Sequence, residues 1–314
     1  MSKLIFLLFF LASSAHAYKI AIYTDQANNK KAKEVVELFK KTYPFNQYQI
    51  DFEIKTISAS ELKCTSQGSD ERYTKCNSEM IAKEAASKGI DQAIIVKSSN
   101  KYGGSGGSIP IITSGSPANM ALHEYLHTLG LADEYPYPSS EANYYCKQND
   151  PQGTNLTVIE PKASGYPSDS FARSEHMRQI PWGLRIKPET LITSGQTLGT
   201  GKVSTQTLTP SNNSDDKNRI STAIGLYAAP TCLKATPPVH MWQPNGEITI
   251  MNNLTAGLGS GNEVIVIKAL ETRGVRKKFL IAERDAVHIN SNSRNMKPLI
   301  EGQKPVQSSK ISIR

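Results

Sequence analysis

Apolar and polar residues alternate through YKIAIYTD (18–25). The next stretch, NKKAKEVVELFKKTYP, carries Val35, Val36, Leu38 and Phe39 at helical spacing, and YQIDFEIKTI (48–57) alternates again. This change of period predicts strand, helix, strand. A further helix is predicted over 77–88, closed by Gly89, and DQAIIVKSS follows as a buried strand. The first hundred residues therefore predict a helix-flanked sheet.

A glycine-rich stretch, YGGSGG, then leads into SIPIIT (108–113). Pro110 has no N–H for a sheet ladder, so this segment is predicted to be an edge strand, open to an extended peptide by strand addition. From Gly130 to about residue 230, Pro, Ser, Gly, Asn and Tyr dominate and periodicity fades, which predicts loops with few short elements. SNNSDDKN within that stretch is polar enough to predict mobility. The tail changes character: GEITIMNN, EVIVIKALE, KKFLIAE and DAVHIN read as short strands separated by turns. The pattern divides the chain into a larger unit over 18–235 and a small all-β module over 236–314. The fold class is α+β, with a twisted mixed sheet, an edge strand, a central helix and a loop-rich second half.

The first 17 residues carry Lys3, an apolar run over 4–12 and the AxA pattern of Ala15, His16 and Ala17. This is the layout of a secretory signal peptide, and its apolar run is shorter than the ~20 residues of a bilayer span. The expectation is an exported chain, periplasmic or secreted, with no stable membrane insertion. Cys64, Cys76, Cys146 and Cys232 are an even number with no CxxC pair. In an exported chain they predict disulfides, with Cys64 joined to Cys76 around a short polar loop and Cys146 to Cys232. The formal charge is +8, but the lysines are scattered, and Lys30, Lys31, Lys33, Lys40 and Lys41 flank a helix stripe as a solvated face. Nucleic-acid binding is not expected.

The chemistry concentrates in ANMALHEYLHTLGLADEY (118–135). Ser116 and Pro117 suit a helix start and Gly130 suits its left-handed stop. His123 and His127 then lie one turn apart on one face, a spacing that can grip one Zn²⁺. Glu124, beside the first histidine, is placed as a general base toward a metal-held water rather than as a ligand. Gly130 turns the chain back, making Asp133 the natural third ligand, with the adjacent Glu134 and the more distant His176 as alternatives.

The full pattern, HExxHxxGxxD, resembles the metzincin metallopeptidases, whose usual pattern ends in His, and the LADEY tail looks like that of IgA-peptidase-type metzincins. The resemblance implies a metzincin-like catalytic domain and a methionine turn beneath the metal. SEHMRQIPWG supplies Met177 for that turn, with Met241 in VHMWQP as the rival. Some members add a tyrosine two residues on; here that position is Gln179. The expected function is a secreted zinc-dependent endopeptidase acting on protein or peptide substrates with one catalytic zinc, while the partner of the tail module is unknown. The alternatives are an exported binding or adhesion protein with a structural zinc, and an amide hydrolase acting on cell-wall peptide.

Overall fold

The computed structural model describes residues 17–26, 29–67, 73–146, 153–159, 167–186 and 224–278. Residues 1–16 of the signal peptide expected over 1–17, SNNSDDKN, most of KKFLIAE and all of DAVHIN lie outside the described residues. A seven-stranded, mostly parallel sheet is built from β1 (Tyr18–Thr24), β2 (Ile50–Thr56), β3 (Thr65–Gln67), β4 (Tyr73–Lys75), β5 (Gln92–Lys97), β6 (Gly104–Ser105) and β7 (Ile111–Thr113). Its order is β2-β1-β5-β7-β6-β4-β3. The described helices are α1 (Lys30–Lys41), α2 (Ala59–Leu62), α3 (Ser78–Ser87), α4 (Ala118–Thr128), α5 (Ser139–Tyr145), α6 (Asp169–Gln179) and α7 (Ser260–Thr272). A separate antiparallel pair joins β8 (Tyr227–Ala229) to β9 (Met241–Gln243).

Strand alternation sends successive side chains to opposite faces of the sheet. Ile20, Ile22, Ile94, Val96 and Ile112 pack on one face with Val35 and Phe39 of α1 and Leu122, Tyr125 and Leu126 of α4. Ala21, Tyr23, Ala93, Ile95 and Ile111 face the other way, onto Ile81 and Ala85 of α3. Burial on both faces explains the unbroken apolar run of β5. Tyr125 anchors α4 to α1 through edge-on contacts with Phe39 and Phe45, at 5.2 and 5.8 Å between ring centroids. Asn29 and Asn77 cap α1 and α3, accepting bonds from Ala32 N and Met80 N, and Gly89 takes the positive φ that ends the second of these helices.

Two expectations are corrected. The segment 108–113 is not an edge: β7 pairs in parallel with β5 and antiparallel with β6, and it is buried throughout. Pro110 precedes the strand and takes part only through its carbonyl, which accepts from Ile95 N at 2.8 Å, so its missing N–H leaves no gap in the ladder. The second correction concerns the tail. EVIVIKALE lies in α7, and Ile250 and Met251 of GEITIMNN sit in a turn. Val266 and Leu270, four apart, are wholly buried in the same core as Ile20 and Leu126, and Ile250, Met251 and Leu258 join them. A β-branched run becomes a helix when one stripe of it has a core to fill, because packing outweighs propensity differences of under ~1 kcal/mol per residue. The described part of 236–278 is therefore neither all-β nor separate from the main core.

Both expected disulfides form, Cys64–Cys76 and Cys146–Cys232, as suits an oxidising environment. Among the described residues no helix is long and apolar enough to cross a membrane. The disulfides close loops of very different length, 12 and 86 residues apart in sequence. Loop-closure entropy gives about 3 kcal/mol for the short loop and about 4–5 kcal/mol for the long one. Urea unfolding of the Cys64→Ala/Cys76→Ala and Cys146→Ala/Cys232→Ala variants should show the larger loss in the second; the reverse order would mean that local packing, not chain constraint, sets their contribution.

Candidate functional site

Helix α4 carries the two histidines into a cavity of about 560 Å³ and buries its other faces in the core. Pro117 occupies the N-cap without a side-chain bond, so Ser116 is not the cap that was expected. Its hydroxyl instead bonds Gly103, donating to the carbonyl at 2.7 Å and accepting from the N–H at 2.9 Å, which fixes the glycine-rich segment before β6. Gly130, at φ +91°, ends the helical stretch as predicted. The returning chain is then pinned: Thr154 N donates to Gly130 O, Ala132 N donates to Asn155 Oδ1, and Asn155 Nδ2 donates to Ala132 O.

His123 Nδ1 lies 2.9 Å from Ile250 O and His127 Nδ1 lies 2.8 Å from Leu131 O. A carbonyl only accepts, so each Nδ1 carries a proton and each ring turns its Nε2 inward. The two Nε2 atoms stand 3.2 Å apart, and Asp133 Oδ1 is 3.1 Å from the first and 3.3 Å from the second. The three atoms thus face one another, and the buried Asp133 Oδ1 has no hydrogen-bond donor from outside this triangle. Such a triangle needs a cation at its centre. Ligand atoms bonded at ~2.0–2.2 Å around a tetrahedral ion stand about 3.3–3.6 Å apart, so a donor set at 3.1–3.3 Å can close on a metal ion with a small outward shift. His123, Glu124 and His127 also offer atoms within 4.8 Å of one another, but Asp133 Oδ1 lies closer to both imidazoles than that and is the better third donor.

The electrostatics agree. Burial alone would raise the Asp133 carboxyl, but hydrogen bonds and charge from His123 and His127 hold it well below the usual carboxylate range. Burial works against charge on His127, yet the bond and charge of Asp133 and the charge of Glu124 push this imidazole up to about 9. Without a metal, a proton takes the place of the cation. Glu124 is raised, chiefly by burial. Asp133 Oδ2 accepts from the hydroxyls of Tyr135 and Tyr137, each at 3.0 Å, leaving Oδ1 for the centre. Burial first, then the Asp133 charge and lastly that of Glu141, raises both tyrosines far above their ordinary value.

Glu134, the alternative ligand, points away. It is fully buried and accepts from Thr249 Oγ1 at 2.5 Å and from the Nδ2 atoms of Asn155 and Asn262 at 2.9 Å each. His176 is buried on α6 and does not line the cavity. Met177, the expected methionine beneath the metal, packs instead against the cluster of Ile159, Ile180, Trp182 and Trp242, and Met241 sits in a third cluster with Cys146 and Cys232. The methionine next to the carbonyl that orients His123 is Met251, wholly buried in the turn that follows Thr249. Sequence reasoning missed it because GEITIMNN alternates like a strand. Tyr135 and Tyr137 stood in plain view beside Asp133; Asn155, Thr249 and Asn262 carry no local signal at all.

The chain matches no protein-family model and no curated protein.

Two outcomes follow for metal binding, both read by competition with a chromophoric chelator. Binding needs the neutral form of His127, which in the metal-free protein is protonated up to about pH 9. Uptake of zinc at pH 7 should therefore release protons, and affinity should rise by up to ~10-fold per pH unit before levelling above about pH 9. Affinity that is flat from pH 6.5 to 9 would contradict this. The Tyr135→Phe/Tyr137→Phe variant should bind zinc ~10–100-fold more weakly while remaining folded, as outer-shell losses do.

Proposed function

We propose that the protein is a zinc-dependent endopeptidase of metzincin-like type, with His123, His127 and Asp133 as ligands and Glu124 as the general base. The observation that carries this reading is the triangle of donors, 3.1 to 3.3 Å on a side, with a half-buried carboxylate beside it in one open cavity. A structural site would have no use for Glu124, since the remaining donors already meet the ion. Zinc, when bound there, supplies Lewis acidity toward a water and toward the scissile carbonyl. Glu124 takes the water's proton on its carboxylate and delivers it to the leaving amine nitrogen, and burial raises its pKa in the direction that favours carrying this proton. Tyr135 and Tyr137 hold Asp133 so that only one of its oxygens faces the centre.

The extended peptide lies along Gly106 and Gly107, just beyond β6, rather than along the interior strand β7. Both glycines are exposed and line the cavity. A Cβ on Gly106 would come within 3.0 Å of Glu124 Oε2 and 3.4 Å of His127 Cδ2. Only a bare backbone leaves room for a substrate strand to approach the base. The export signal and the two disulfides support an extracytoplasmic setting for this activity.

Glu124→Gln keeps the ligands and removes the base. Hydrolysis of an unfolded protein substrate is expected to fall ~10²–10⁴-fold with zinc content unchanged by elemental analysis. Wild-type turnover in this variant would sink the mechanism, and a wild-type protein that binds one zinc but cleaves nothing would leave a structural ion as the better reading.

A further inference from the structure

The chain carries a formal charge of +8, yet among the described residues the cavity lining contains no lysine or arginine. Its carboxylates are Glu124, Asp133 and Glu141. A divalent ion offsets the first two. Glu141, on α5 at the far wall, remains as one negative charge that no catalytic role requires. It is surrounded by tyrosines: Tyr73 donates its hydroxyl to Glu141 Oε1 at 3.4 Å, and Tyr137 and Tyr145 line the same cavity with ring centroids 5.5 Å apart and planes inclined by 44°. A partly buried carboxylate beside aromatic rings is suited to a cation on an aliphatic stem. The stem lies along the rings, the charged head meets the carboxylate, and the ring faces attract the cation as well.

We propose that the cleft selects peptides bearing a lysine or arginine side chain close to the scissile bond, with Glu141 as the specificity-determining carboxylate and Tyr73, Tyr137 and Tyr145 as the walls of its subsite. This rests on the endopeptidase reading above. The same carboxylate disfavours aspartate and glutamate at that position by like-charge repulsion, which narrows the substrate class further. Uncharged side chains gain neither contact.

The test uses the zinc-loaded full chain and a library of C-amidated peptides, each prepared both N-acetylated and with a free amino terminus. Wild type is expected to cleave next to Lys or Arg with kcat/KM roughly tenfold above the norleucine counterpart, a preference lost in Glu141→Gln and turned toward Asp and Glu in Glu141→Arg. Thermal unfolding confirms that both variants fold. A parallel arm measures binding of labelled Lys and norleucine peptides to the Glu124→Gln protein by fluorescence anisotropy, with and without Glu141→Gln. Cleavage with no basic preference, or a preference that survives Glu141→Gln, overturns the subsite and leaves the endopeptidase standing. Glu141-dependent selective binding without cleavage by wild type keeps the subsite and overturns the endopeptidase. Cleavage that requires a free amino terminus would assign the cation to the terminal ammonium and overturn the side-chain subsite. Neither binding nor cleavage overturns both.

Discussion

The carboxylate of Glu134 is the tie on which the arrangement of the site depends. It has no exposed surface and accepts bonds from Thr249, Asn155 and Asn262, residues more than twenty positions away in one case and more than a hundred in the others. Burial raises its pKa while the three donors act in the opposite sense. Each hydrogen bond to a buried charged group contributes about 1.5–3 kcal/mol, and loss of the carboxylate would leave three polar side chains buried without it. The Glu134 backbone is held too, with its N–H donating to Met251 O at 2.9 Å and its carbonyl accepting from Asn252 Nδ2 at 3.1 Å. With Glu134 held inward on this side, the neighbouring Asp133 turns its carboxylate to the histidines.

The same tie sets the histidines. The turn that carries Thr249 presents the Ile250 carbonyl to His123 Nδ1, and the loop braced by Asn155 presents the Leu131 carbonyl to His127 Nδ1. Ring tautomer, ring direction and third donor are thereby decided by one hydrogen-bonded assembly that joins the end of α4, the segment at 153–157 and the turn before α7. Gly153 shows how close these backbones run, since a Cβ there would meet Ala132 N at 2.3 Å. The Cys146–Cys232 bridge closes the outer wall, where Thr231 bonds both Asp133 O and Tyr137 N. A preorganised donor set of this kind can bind an ion without reorganising.

Charge is distributed against the average of the chain. The lysines of α1 lie on its outer face, where Lys31 and Lys40 pair with Glu34 and Glu37. Such exposed pairs contribute little to stability. The cleft, by contrast, gathers carboxylates and tyrosines, and Tyr135, Tyr137, Tyr145 and Tyr144 form a succession of ring contacts from the half-buried Asp133 to the surface. The lysines of α1 and the acidic, aromatic cleft thus occupy separate parts of the described structure.

Local pattern alone marked three strands and two helices of the first half of the fold and the residues that meet at the site. Alternation marked β1 and β2 and an apolar run marked β5; helical spacing marked α1, and a helix closed by Gly89 marked α3; and the spacing of His123, Glu124, His127, Gly130 and Asp133 placed five residues whose relation depends only on one helix and one turn. The two disulfides were likewise legible, from an even count of cysteines and the loops they could close. Tertiary structure decided the rest. SIPIIT is interior because β6 pairs on its free side, a partner that its own residues do not announce. EVIVIKALE is helical because one stripe of it completes a core formed by residues more than a hundred positions earlier. Met251 rather than Met177 lies in the turn that orients His123, and Glu134 turns inward rather than to the histidines, because their partners are brought together only by the packing of distant segments. Short-range periodicity reports what a segment can become, while long-range burial selects which of those forms leaves no polar group unpaired and no apolar stripe exposed.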